Sequence, residues 1–252
     1  MNVRSIGPAP AAGLAFVAFV VVWKAIVVLA GYPAFILPPP ESVASRFFGA
    51  WTSGLIWPHF AATLLEIGLG FGLGSGLAIA TGYALARSRL VASLLSPYLV
   101  AAQATPILAL APLLVLWFGV GLLSKLVICA LIVFFPVAVA TMVGVRAVDS
   151  KLLELARSLH ATRRQVLLTL EIPAALPSIL GGLRVGVTLS VVGAIVAEWA
   201  GAEHGLGVLV NLARGSLFDT PLMFATLLTI ALLGIVLYLV VVLVERRLVG
   251  AR

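Results

Sequence analysis

Two carboxylates, Glu66 and Glu198, stand inside long apolar stretches, and Lys24 and Arg184 are cations embedded in sequence of the same kind. An unpaired ion in hydrocarbon is costly, so such residues face a polar route, a water-filled cavity or a partner of opposite charge. Lys24, Arg184 and Arg214 are the open choices of partner for the two glutamates. Proton transfer at a glutamate and a positive lining at Arg184 for an anionic solute are the chemistries these types offer; Lys24 and Arg184 can also simply snorkel to an interface. Bond-making chemistry has no constellation to work with. His59, His160 and His204 are dispersed, Cys129 is the lone cysteine, and no Ser/His, paired-Asp or metal-ligand spacing occurs. Cys129 and Met142 read as packing residues. No phosphate-binding G-x-x-x-x-G-K-[S/T] loop is present, so any use of ATP belongs to another polypeptide.

The elements that must position these residues are membrane helices. Of 252 residues 62% are hydrophobic and 10% charged, with a mean hydropathy of +1.21. A soluble domain carries about 25% charge, so this chain lacks the polar material to cover a surface in water. The +7 charge does not indicate nucleic acid, because the Lys and Arg residues fall in short segments between apolar stretches, where they set topology.

Six spans are expected in an all-α fold, over residues 11–30, 61–85, 97–118, 124–145, 176–199 and 222–244. The first ends in Val28-Leu29-Ala30, similar to a signal-peptidase site, but its apolar run is too long for a cleaved signal and reads as a retained span. Residues 32–60 form a Pro-rich, aromatic loop in which Pro40 opens a short interfacial helix and Trp51 and Trp57 suit the headgroup level. Glycines at 68, 70, 72, 74 and 76 give two offset small-xxx-small faces on the second span. Pro106, Pro112 and Pro136 each remove a backbone donor and predict kinks in spans three and four.

Orientation follows from charge. With both termini on the cytoplasmic side, Arg4, Arg87, Arg89, Arg146, Lys151, Arg157, Arg163, Arg164, Arg246, Arg247 and Arg252 lie inside, against Arg46, Lys125 and Arg214 outside.

Residues 149–173 are the least apolar long segment. Leu152, Leu155, Ala156 and Leu159 recur at helical spacing, and Thr162 with Gln165 forms a capping box ahead of Val166, Leu167 and Leu170. The pattern predicts two short amphipathic helices meeting near His160.

Glu154-Leu155-Ala156, then His160, then Leu170-Glu171-Ile172-Pro173 resembles the EAA loop of inner-membrane permeases from ABC importers. That pattern runs Glu-Ala-Ala, three residues, Gly, nine residues, Ile, one residue, Leu-Pro, and its spacing is kept here. Leu155, His160, Leu170 and Ile172 depart by type; His160 is the substantive change, because Gly adopts the required turn more readily. Leu37-Pro38-Pro39-Pro40 with Val43, Pro106 to Gly119 around Ala109, Pro112, Leu113 and Trp117, Pro173 to Pro177, Gly182-Leu183-Arg184 and Val196-Ala197-Glu198 resemble the nitrate/sulfonate/taurine branch of that family.

The resemblance covers about residues 35 to 245 and implies a single permease domain of the type I importer fold, multi-pass in the bacterial inner membrane. It implies a second permease copy in a homodimer, a cytoplasmic ATPase dimer using ATP and Mg, and a periplasmic or lipid-anchored solute-binding protein. This chain would hold no cofactor and perform no catalysis. The coupling residues it implies are Glu154, Ala156, Arg157, His160, Arg163, Arg164, Leu170 and Pro173; Glu66, Pro106, Pro112, Arg184 and Glu198 are candidates for the translocation path or gate. The implied substrate is a small anion such as a sulfonate, taurine or nitrate, with a pyrimidine or other heterocyclic nutrient as the alternative. A secondary carrier without an ATPase and a membrane scaffold are the competing classes.

Overall fold

The computed structural model describes residues 8–249, apart from the side chains at 8–12, 100, 104 and 108. Arg4 and Arg252, used in the charge count, lie outside the described residues. Among these residues every regular element is helical: α1 (Pro8–Ala30), α2 (Pro40–Thr52), α3 (Trp57–Arg87), α4 (Arg89–Ala104), α5 (Ile107–Phe118), α6 (Leu122–Arg146), α7 (Ser150–Ser158), α8 (Arg163–Val166), a π-helical turn (Leu167–Glu171), α9 (Ile172–Ala200), α10 (Leu206–Arg214) and α11 (Thr220–Leu248). Among the described residues five stretches are long and apolar enough to cross a bilayer: Gly13–Ala30, Trp57–Arg87, Leu122–Arg146, Arg163–Ala200 and Thr220–Leu248. Many of their large apolar side chains are exposed, as with Phe16, Phe19, Leu77, Val236 and Leu243. Apolar surface left open around a helix is stable in lipid and not in water, and the chain is a multi-pass membrane protein.

The third expected span is corrected. Residues 97–118 do not form one kinked helix; the chain breaks between α4 and α5, with Thr105 and Pro106 both extended. Pro106 has no N–H to continue the ladder and its ring biases Thr105 away from helical geometry. Pro112 and Pro136, by contrast, stay inside α5 and α6. α4 also begins eight residues before the expected start, where the Ser88 hydroxyl accepts the Val91 N–H at 3.2 Å.

Contacts group the described residues into two compact units: the described parts of Met1–Pro58 with Leu209–Thr229, and of His59–Val208 with Ile230–Arg252. In the first, Trp23 stacks on Phe224 with centroids 6.0 Å apart. Arg46 pairs with Asp219 at 2.7 Å, and Thr220 donates to the Phe35 carbonyl at 3.1 Å. Lys24 pairs with Glu41, holding that exposed carboxyl below the usual range.

In the second unit α6 and α9 are the central pair. Ala111, Leu114, Ile128, Val196 and Ala197 form one buried cluster, and Ala78, Val133, Val137 and Ala138 another. The structure chooses between the glycine faces of α3. A Cβ at Gly70 would lie 2.3 Å from that of Cys129, and at Gly74 and Gly82 2.6 and 2.4 Å from the carbonyls of Ala130 and Ala138; at Gly68, Gly72 and Gly76 it would meet open space. Only the first set permits the close approach of α3 to α6. Cys129 is buried there, its thiol 3.8 Å from the Ser190 carbonyl.

Candidate functional site

The amphipathic segment is built from local capping. The Asp149 carboxylate accepts the Lys151 N–H at 2.9 Å to start α7. Leu152, Leu155 and Leu159 are 46%, 55% and 72% exposed, while Ala156 is buried, so the apolar stripe read from the sequence faces outward. The helix then stops in a Schellman turn: the His160 N–H donates to the Arg157 carbonyl and the Ala161 N–H to the Ala156 carbonyl, each at 2.9 Å. The residue between must be left-handed, and His160 has φ 51°. This is the position where the resembling pattern has Gly.

His160→Gly is therefore expected to leave this turn intact and stabilise it by up to about 1 kcal/mol, because relief of the left-handed penalty is partly offset by a freer unfolded chain. His160→Val, β-branched at positive φ, is expected to loosen it by a similar amount or more. The rate of proteolytic cleavage between Leu159 and Arg163 should rank Val above His and His at or above Gly; a Gly variant cleaved faster than wild type would refute the assignment.

Beyond the turn, Thr162 and Gln165 form the expected capping box, with Thr162 N–H to Gln165 Oε1 at 2.8 Å and Gln165 N–H to Thr162 Oγ1 at 3.3 Å. The second helix is not a separate short element. α8, the π turn and α9 run on as one stretch from Arg163 to Ala200, so this segment and a membrane-length helix are continuous. Glu154, Arg157, His160, Arg163 and Arg164 are exposed, and Leu170 and Pro173 are partly buried.

The π turn carries a residue that sequence reading passes over as the variable position between Leu170 and Ile172. Glu171 is 1% exposed; it accepts the Tyr83 hydroxyl at 3.0 Å and pairs with Arg87 at 2.8 Å. Arg146 donates to the Leu85 carbonyl at 2.8 Å, so α6 grips the same end of α3. The sequence signal was an acidic residue flanked by leucine and isoleucine.

A buried polar cluster lies towards the other end of α3. Lys125 pairs with Glu66 at 2.6 Å, with the residues 8% and 2% exposed. Glu198 accepts the Thr63 hydroxyl and the Gly207 N–H, each at 2.5 Å, and Thr63 Oγ1 accepts the Leu206 N–H at 2.8 Å. His59 Nδ1 lies 2.9 Å from the Gly205 carbonyl and 3.1 Å from its N–H, of which one tautomer can satisfy one. The loop at 205–207 is thus stitched to α3 and α9. Gly205, at φ 146°, fits only because it lacks a Cβ, which would lie 2.2 Å from the Glu198 carboxyl carbon.

None of the expected partners serves the two glutamates. Arg184 instead makes a two-point pair with Glu245, 3.0 Å from Nε and 3.1 Å from an Nη. Lys125 and Thr63 are the residues that sequence reading missed; a lysine four residues into a helix that is otherwise almost wholly apolar was the available signal.

Two concavities open along α4 and α6, the larger reaching α9 and the smaller the end of α3. One of about 570 Å³ is bounded by Gln103, Pro136, Ser178 and Gly182 together with valine and alanine side chains; a second, of about 120 Å³, by Gln103, Ser96, Phe135 and Met142 with leucines. Among the described residues neither has a charged side chain in its wall. Pro106 and Pro112 are exposed, and the geometry does not bring them to Glu66, Arg184 or Glu198 as a common site.

Residues 70–250 match the family of binding-protein-dependent transport system inner membrane components. The riboflavin transport system permease protein RibX of Chloroflexus aurantiacus is 47% identical over 95% of this chain and 90% of its own length. A putative aliphatic sulfonates transport permease protein, SsuC of Bacillus subtilis, is 35% identical over 92% of this chain and 84% of its own. Among solved structures, a chain of the MetNI methionine ABC transporter in an inward-facing conformation superposes with a TM-score of 0.62, at 18% identity, over 76% of this chain and 93% of that one. This last likeness is one of fold, the type I importer permease.

Proposed function

Since the chain belongs to the family of binding-protein-dependent transport system inner membrane components and is an ABC importer permease subunit, we propose that it passes an uncharged heterocyclic nutrient, with riboflavin or a pyrimidine precursor as the first substrates to try. The observation that carries this reading is the uncharged wall of the two concavities that share α4 and α6, where the Gln103 amide and the Ser96 and Ser178 hydroxyls offer hydrogen bonds among apolar surface. That is the lining a flat, polar but neutral ring requires. Among the described residues the cations set within spans are already neutralised, Lys24 by Glu41, Lys125 by Glu66 and Arg184 by Glu245. An anion would meet no unpaired positive charge there. The identity to the riboflavin permease supports the same reading. Transport of a sulfonate, taurine or nitrate is the second reading, favoured by the identity to SsuC.

In this proposal both termini and the 149–173 segment are cytoplasmic, in a bacterial inner membrane. Leu152, Leu155 and Leu159 enter a groove of an ATPase dimer and Glu154 and Arg164 contact its rim, while Arg157 and Arg163 belong to the same coupling segment but turn towards the end of α3. His160 sets the turn, and Ala156, Leu170 and Pro173 hold the segment's shape. ATP and Mg are bound and used by the ATPase, and this chain holds no cofactor and breaks no bond. ATP-driven closure moves α7 and, through the unbroken α8–α9 stretch, tilts a span; two permease copies then alternate access for solute delivered by a binding protein. Glu66 and Glu198 serve as structural ties of the outer loop, Arg184 ties α9 to α11, and Pro106 supplies the break between α4 and α5.

The test is ATP-dependent uptake into proteoliposomes holding the permease, ATPase and binding protein, offered riboflavin, a pyrimidine precursor, taurine, an alkanesulfonate and nitrate. A heterocycle is expected to enter, and Gln103→Leu to reduce its uptake about ten-fold, the loss of one buried hydrogen bond. Uptake of taurine, sulfonate or nitrate with none of either heterocycle would overturn the substrate assignment.

A further inference from the structure

The membrane-end of α3 and the amphipathic segment enclose a cavity of about 520 Å³. Its polar side is Tyr83 with three guanidinium groups, from Arg87 on α3, Arg157 on α7 and Arg163 on α8; Leu153, Ala161 and Val166 supply an apolar wall. The charges do not cancel. Glu171 is saturated by Arg87 and the Tyr83 hydroxyl, and among the described residues neither Arg157 nor Arg163 has a carboxylate within ion-pair distance. Two positive charges therefore face one partly enclosed space, whereas the cations within the spans each hold an acid.

We propose that this cavity binds a phosphate group, held between the Arg157 and Arg163 guanidiniums with Arg87 at its floor. Forked, always-charged donors arriving from separate helices match the several oxygens of a phosphate better than the two of a carboxylate. The expected source is the headgroup of an anionic phospholipid. Arg87 is the last residue of a membrane-length helix, and Leu168 and Ile172, on either side of buried Glu171, expose their apolar side chains. Hydrocarbon thus reaches the level of the π turn, and the cavity beside it falls among the headgroups. Under the orientation proposed above this is the cytoplasmic leaflet, and a lipid seated there touches both α3 and the segment assigned to the ATPase. The binding itself stands or falls apart from the transport reading, since it involves neither solute nor ATP.

The experiment is native mass spectrometry of the permease–ATPase complex released from nanodiscs of phosphatidylcholine alone or of equal parts phosphatidylcholine and phosphatidylglycerol, with inorganic phosphate added in a separate arm. Wild type is expected to retain phosphatidylglycerol in preference to phosphatidylcholine. Arg157→Gln with Arg163→Gln should lower retention about ten-fold or more, as expected when charge-assisted hydrogen bonds are lost. Arg246→Gln with Arg247→Gln, which removes equal charge from an exposed stretch, should leave it unchanged. Arg157→Lys with Arg163→Lys keeps the charge without the fork and should fall between, which a mere folding defect would not produce. Equal retention by wild type and the Gln pair would overturn the site. Binding of inorganic phosphate that depends on the two arginines, without discrimination between the lipids, would overturn the lipid as its source.

Discussion

Lys125→Met is expected to lower the midpoint of thermal unfolding by on the order of 10 °C, the consequence of stranding Glu66. That carboxylate is 2% exposed; one oxygen is held by Lys125 at 2.6 Å, and the Glu198 carboxyl lies beside it. Removing one member of a buried ion pair costs about 3–5 kcal/mol, because the remaining charge must be neutralised or dragged towards water. Each kcal/mol shifts the midpoint by about 2–4 °C at this chain length. The double variant Glu66→Gln with Lys125→Met removes both charges of the pair and should recover more than half of the loss, since a pair replaced on both sides costs far less than a pair broken. The measurement is tryptophan fluorescence on heating in one detergent for all three proteins. A Lys125→Met protein as stable as wild type, or a double variant no better than the single, would show that the pair is not the tie it is taken to be.

Leu155→Asp with Leu159→Asp is expected to abolish ATP-dependent uptake while leaving the permease folded. Both leucines point away from the protein, at 55% and 72% exposure, so nothing inside loses a contact. In the proposed complex they are the apolar anchors of the ATPase groove. Burying a leucine contributes about 1.5–3 kcal/mol, so losing two and inserting charge should weaken association about 100-fold or more. Co-purification of the ATPase on a tagged permease reads the binding, and the unfolding midpoint reads the fold. Retained ATPase with uptake at the wild-type level would remove this segment from the coupling role; a lost ATPase with an unchanged midpoint is the expected result.

Much of this architecture was legible because it is local. The apolar runs, the Thr162–Gln165 box and the outward Leu152-Leu155-Leu159 stripe follow from short-range spacing, and the unusual His at position 160 could be flagged from its place in the pattern. Its left-handed φ then explained why glycine suits that position. The break at Pro106 was half legible: proline marks a lost hydrogen bond, but whether the helix continues through it, as at Pro112 and Pro136, or ends depends on what packs nearby.

What the sequence by itself determined was therefore that the apolar runs are membrane helices, the character of the 149–173 segment and the presence of ions that need partners. Only the tertiary structure decided which ions meet, Glu66 with Lys125 59 residues away and Glu171 with Arg87, and which glycine face of α3 is pressed against α6. The physical reason is rotation about the helix axis. An amphipathic helix such as α7 announces its apolar contact face by the contrast between apolar and polar sides, but a membrane helix apolar all round carries no such contrast. Its rotation, and with it every cross-helix pairing, is set by close packing at small residues and by buried charges finding one another.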